Sequence, residues 1–82
     1  MNQPLTDLQI KAQRALLDDQ RTKEHGIEVI EDDGVVTLKG SVPSRKIKKT
    51  AASILKDIRD IDRVVNKLQV DEEHEILERI LR

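Results

Sequence analysis

The sequence predicts a small α+β domain of αββαβ order with one more helix at its end. Its three-stranded mixed sheet is expected to carry two helices on one face. Three observations lead there. The stretch DGVVTLKGSV, residues 33–42, opens on an Asp-Gly turn and alternates Val36, Leu38, Gly40 and Val42 against Val35, Thr37, Lys39 and Ser41, as a half-buried strand does. Two segments, following Thr6 and Ser44, set apolar residues at helical spacing behind a good N-cap. A second β-rich run, VVNKLQV, comes after the second of these segments, so a helical crossover joins two parallel strands.

Each element has its own local cause. Thr6 and Gln9 form a capping box and predict a helix over residues 7–18, with Leu5, Leu8, Ala12, Ala15 and Leu16 on one face. Ile10 and Leu17 fall opposite, either as scattered surface residues or as a second, smaller contact surface. Residues 19–25 are charged and read as a frayed helix end and loop that stops at Gly26. His25 has no second His or Cys at ligand spacing and reads as a solvated loop histidine.

Residues 27–31 alternate as a strand. Asp32, Asp33 and Gly34 then make a tight hairpin turn, because glycine takes positive φ without a Cβ penalty. The adjacent carboxylates of Asp32 and Asp33 fit turn chemistry better than an acid/base pair or a cation site, since neighbours on a turn point apart. Pro43 ends the second strand and Ser44 caps the second helix. Ile47, Thr50, Ala51, Ile54, Leu55 and Ile58 gather on one side of that helix, and Arg45, Lys46, Lys48, Lys49 and Lys56 on the other. After a turn at residues 60–62, residues 63–70 read as the third strand, with Val64, Leu68 and Val70 on one parity. Asn66 sits among them, either as a buried group bonded to backbone or at the sheet's end, partly in water. Gly40, on the inward parity, is expected to leave room for close helix approach.

Asp71 caps the last predicted helix, with Glu72, Glu73 and Glu75 near its positive end and Arg79 and Arg82 near its negative end. Its stripe, Ile76, Leu77, Ile80 and Leu81, needs cover. The sheet's outer face, Glu28, Ile30, Val35, Thr37, Lys39, Val65, Lys67 and Gln69, is only partly polar. Stripe and face are expected to cover each other within one chain or between two, which makes the stripe a candidate oligomer interface.

Composition narrows the function. Eighty-two residues form one small domain whose core nets only ~3–5 kcal/mol unless something staples it. Without cysteine that staple is neither a disulfide nor a thiolate metal site, and no cofactor or metal is expected. The absence of Phe, Trp and Tyr leaves a core of Leu, Ile, Val and Ala and removes base-stacking platforms and interfacial aromatic belts. No apolar run approaches the roughly 20 residues that span a bilayer, and the first residues resemble no export signal. The expected location is cytoplasmic, or periplasmic if a leader has been removed.

The net charge of −1 hides a local imbalance. Between Gly34 and Lys56 there are six bases and no acid, so this stretch carries +6 and the remainder −7. Bases in the first turn of the second helix oppose its dipole by ~0.3–1 kcal/mol each. That conflict marks the basic face as a site candidate, with a plain solvated face as the competing reading.

The order and spacing of Asp7-Leu8 with Ala12, Ala15 and Leu16, then Ile27 and Val29, then DGVVTLKGSV, then Ala51 and Ala52, then VVNKLQV resemble the BON domain over about residues 5–70. The Asp-Gly strand and the Val-Asn-x-Leu-x-Val strand carry most of that resemblance. It implies an αββαβ fold and a non-catalytic module of the kind proposed to attach proteins to phospholipid, often in the periplasm, with some cytoplasmic members that have other partners. It supplies no catalytic motif to transfer. Residues 71–82 are then a helical extension, and the chain departs from the frequent two-copy arrangement.

Two functions are weighed. The first is a peripheral binding module for anionic phospholipid surfaces, through Arg45, Lys46, Lys48, Lys49 and Lys56. The second is a protein-interaction or self-assembly domain that uses Ile76, Leu77, Ile80 and Leu81 with the open sheet face. Nucleic acid is a weaker reading, since no stacking residues or Gly-x-x-Gly clamp accompany the bases. Catalysis is not expected: Ser41, Ser44 and Ser53 have no His–Asp partner at recognisable spacing, and the glycines are too dispersed to cradle phosphate.

Overall fold

The computed structural model describes residues 6–71 and Ile80. Helix α1 spans Asp7–Asp18, and the chain continues through β1 (Glu28–Asp32), β2 (Val35–Lys39), β3 (Ser41–Val42), α2 (Arg45–Lys56), β4 (Arg63–Asn66) and β5 (Gln69–Val70). Both helices start where their caps require. The Thr6 hydroxyl accepts the Gln9 N–H at 3.1 Å, and the Ser44 hydroxyl accepts the Ile47 N–H at 3.3 Å.

β1 and β2 are antiparallel with Asp32 opposite Val35, so only Asp33 and Gly34 form the loop. Both have positive φ, 53° and 85°, as a type I′ turn demands. β4 lies parallel to β2, with Val36 beside Val64, which gives the mixed order β1-β2-β4 with the α2 crossover between.

Two strands expected to be continuous are broken, and at the same level. Residues 35–42 divide at Gly40, which has φ 131°, and residues 63–70 divide after Asn66, whose side-chain oxygen accepts the Leu68 N–H at 3.2 Å. That short loop turns Leu68 into the core and diverts its N–H from any ladder. Pairing continues across the break: Lys67, Gln69 and Asp71 donate to the carbonyls of Leu38, Gly40 and Val42 at 2.8–2.9 Å, and β3 and β5 form a short parallel pair. The expected role of Gly40 is corrected here. A Cβ there would make ordinary contacts with the Gly26 carbonyl (3.6 Å) and Leu68 (3.8 Å), not with a helix, so glycine is needed for its φ.

The core follows the predicted parity. Val29, Val36 and Leu38 point from the sheet to Ala12 and Leu16 of α1 and Ala51 and Leu55 of α2, with Ile27, Val42 and Leu68 closing the cluster. On the outer face Glu28, Ile30, Lys39, Lys67 and Gln69 are exposed and Val35, Thr37 and Val65 half-buried.

The sheet's two edges are treated differently. At β1, Gln9 accepts the Glu31 N–H at 3.2 Å and Gln13 donates to the Ile27 carbonyl at 3.1 Å, so α1 occupies that edge. No described side chain does the same along β4.

Residues 19–25, expected to be frayed, are ordered by local bonds. Arg21 forms a bidentate pair with the Asp19 carboxylate (2.9 and 2.8 Å) and also gives it its backbone N–H, which holds that carboxyl well below the usual range, at about 2. The turn inserts Thr22, only 2% exposed, under α1, where its hydroxyl donates to the Leu16 carbonyl at 2.6 Å. It thus satisfies one of the orphan carbonyls at the helix C-terminus. Thr22→Val, which keeps the shape and removes that donor, is expected to cost about 1–3 kcal/mol in urea unfolding, while Thr22→Ser costs less.

The predicted C-terminal helix falls outside the described residues except for Ile80, which is helical.

Candidate anion-binding face

Helix α2 is placed by its apolar side. Ala51 and Leu55 are fully buried, Ile47 and Ile54 half-buried, and the outward side carries the bases. Asn66 fixes the helix against the sheet by donating from its side-chain nitrogen to the Lys48 carbonyl at 2.8 Å. This settles the two readings of Asn66: it is half-buried, and both ends of its amide bond to backbone.

Arg45, Lys46, Lys49 and Lys56 are exposed, and Lys48 is half-buried. None of them enters an ion pair with a described residue, since the two such pairs are Lys11–Asp60 and Arg21–Asp19. The first turn of α2 holds no acid. Its bases are therefore not neutralised by any described residue and oppose the dipole, as the sequence suggests.

The five bases do not share one face. At 100° per residue Lys46 and Lys48 lie about 160° apart around the helix. The flank toward the sheet edge is continuous: Lys49 and Lys56 border a groove of about 590 Å³ with Ala52, Ser53, Val64 and Asn66. Arg45 and Lys48 border a second of about 440 Å³ with Leu68, Gln69 and Val70. Lys46 is on neither. On the outer face of the sheet, Lys39 and Lys67 line a further depression with Ser41 and Gln69, two bases that sequence reasoning left out of the site. Their adjacency follows from the parallel register one residue beyond Leu38 and Asn66, and that register was not available from spacing alone.

These grooves are open, and lysines dominate them. They suit diffuse recognition of phosphate or carboxylate charge rather than bidentate capture in a closed pocket. Among the described residues no group of three His, Asp or Glu is placed to hold a metal ion. Of the expected oligomer residues, Ile80 is 70% exposed, and Ile76, Leu77 and Leu81 lie outside the described residues.

Two helices on one face of a three-stranded mixed sheet, with a charged helix flank in place of a deep cavity, define a small α+β binding module. The BON domain profile matches residues 5–72, and the chain belongs to the BON domain family, whose members are binding modules rather than enzymes. No curated protein matches it. No helix among the described residues is long and apolar enough to cross a membrane.

Proposed function

We propose that the chain is a non-catalytic module that attaches peripherally to anionic phospholipid surfaces through the basic side of α2. The observation that carries this reading is the set of bases Arg45, Lys46, Lys48, Lys49 and Lys56, which no described residue pairs with, on a helix with no acid in its first turn, in a family of binding modules. Each base near an anionic bilayer contributes ~1 kcal/mol, and the two flanks of α2 prevent all five from touching at once. With no aromatic anchor the attachment is superficial and weakens as salt shortens the Debye length.

Flotation with vesicles tests it. Vesicles rich in phosphatidylglycerol are expected to recover the protein at low salt, and neutral phosphatidylcholine vesicles are not. Lys46→Glu/Lys49→Glu replaces two attractive charges by two repulsive ones; the lost attraction alone is about 2 kcal/mol, so apparent affinity is expected to fall at least roughly thirtyfold, with far-UV circular dichroism unchanged. Equal recovery on both lipids, or none on either, overturns the reading.

A second reading, self-association through the open sheet face and the C-terminal stripe, is supported by Ile30, 37% exposed beside half-buried Val35, Thr37 and Val65, and by exposed Ile80. The same charge reversal leaves sedimentation unchanged under that reading.

A further inference from the structure

We infer that the outer edge of β4, together with the overhanging flank of α2, is a docking site for an extended acidic segment of a protein partner, which adds to the sheet as a fourth strand. The site stands on main-chain groups, not on the basic face alone. Arg63 and Lys67 donate inward to the carbonyls of Gly34 and Leu38, so the alternate residues Val64 and Asn66 turn their main-chain groups to the outside. Among the described residues those groups have no partner, whereas the opposite edge of the sheet is occupied by Gln9 and Gln13. An edge left open beside one deliberately closed is a template for strand addition.

Charge selects the occupant. Helix α2 runs antiparallel to β4 and β5, so Lys56 and Lys49 overlook Val64 and Asn66, and Lys48 and Arg45 overlook Leu68 to Val70. On the other side of the same edge, Arg63 and Lys67 are exposed. An added strand therefore meets bases on both of its faces. Lys49 and Lys56 are seven residues apart, about 10 Å along the helix, which is bracketed by carboxylates two and four residues apart on one strand face, ~7 and ~13 Å. A second copy of this chain related by a two-fold axis would instead bring these bases against their own images, so the charge that admits an acidic segment also opposes edge-to-edge self-pairing.

The test uses the whole chain without lipid, so its outcome is independent of vesicle flotation. The probe is a fluorescent decapeptide that alternates glutamate and valine. Its control has the same sequence with a methyl group on every peptide nitrogen, so it keeps the charge and has no N–H to donate to a ladder from either edge of the strand. Saturable binding of the first peptide is expected, with slowed hydrogen exchange at the Val64 and Asn66 amides. Binding to the control, and to Lys49→Glu/Lys56→Glu, is expected to be at least about tenfold weaker. Equal affinity for both peptides, binding without protection of those two amides, or no binding at all overturns the inference. So does protection of the same amides in the free protein that rises with its own concentration, which would identify a second copy as the occupant.

Discussion

Leu38→Ala is expected to leave the chain largely unfolded at 37 °C, whereas Ile30→Ala changes urea stability by less than about 1 kcal/mol. The two side chains belong to the same hairpin and differ in the face they occupy. Leu38 is 0% exposed and packs in the cluster formed with Leu16, Leu55 and Leu68. Removing a buried leucine costs about 2–5 kcal/mol, from lost transfer energy plus the cavity left behind. A core of this size, without cystine or aromatic bulk, nets only ~3–5 kcal/mol, so that cost consumes most of the stability. Ile30 faces outward and has far fewer contacts to lose. Far-UV circular dichroism during urea titration checks both. Similar midpoints for the two variants would show that the sheet's buried face had been misassigned, and with it the side on which both helices sit.

That assignment was readable from residues alone because strand periodicity has a period of two. Val36, Leu38 and Val42 fall together whatever the surroundings, and a shift of register by one would bury Lys39. Caps and the Asp33-Gly34 turn were equally readable, since each depends on chemistry within four residues. The failures are long-range. Asn66 terminates β4 by bonding both forward to Leu68 and across to Lys48, eighteen positions earlier, and no local pattern announces the second bond. Thr22 was hidden for a similar reason. Its segment is charged and reads as loop, and its burial comes with the turn in which Thr22 and Lys23 donate their N–H groups to the Asp19 carbonyl, bringing the Thr22 hydroxyl to the Leu16 carbonyl.

The candidate site was legible as a list of bases but not as a shape. Helical spacing identified Arg45, Lys46, Lys48, Lys49 and Lys56, yet the way they divide depends on where the sheet edge lies. With β4 in place, four of the five line the edge grooves and Lys46 turns away. Lys39 and Lys67 join the charged surface only through the parallel register of β2 and β4. The open edge itself has no sequence signature. It emerges from the contrast between a β1 edge bonded by two glutamines of α1 and a β4 edge that no described side chain covers in that way.

Asn66 is where fold and site meet, and its substitutions separate the two bonds it makes. Asn66→Ala removes both the donor to the Lys48 carbonyl and the acceptor for the Leu68 N–H. At about 1 kcal/mol per bond it is expected to lower stability by about 2 kcal/mol, or the melting temperature by roughly 8–16 °C for a domain of this length. Asn66→Asp keeps the acceptor and so keeps the short loop that turns Leu68 inward. It replaces the donor with an oxygen facing the Lys48 carbonyl, so α2 loses its tie to β4 while the strand break survives. Its cost is expected to be near half that of alanine at neutral pH, reduced further by the nearby Lys49 that borders the same groove. Thermal melts of the three proteins decide the matter. If alanine and aspartate were equally destabilising, the bond to Lys48 would be the one that matters, and the loop at residues 66–68 would stand without its asparagine. If alanine melted within about 2 °C of the native chain, neither bond would hold the basic helix over the β4 edge, and packing of Ala51 and Leu55 alone would set its position.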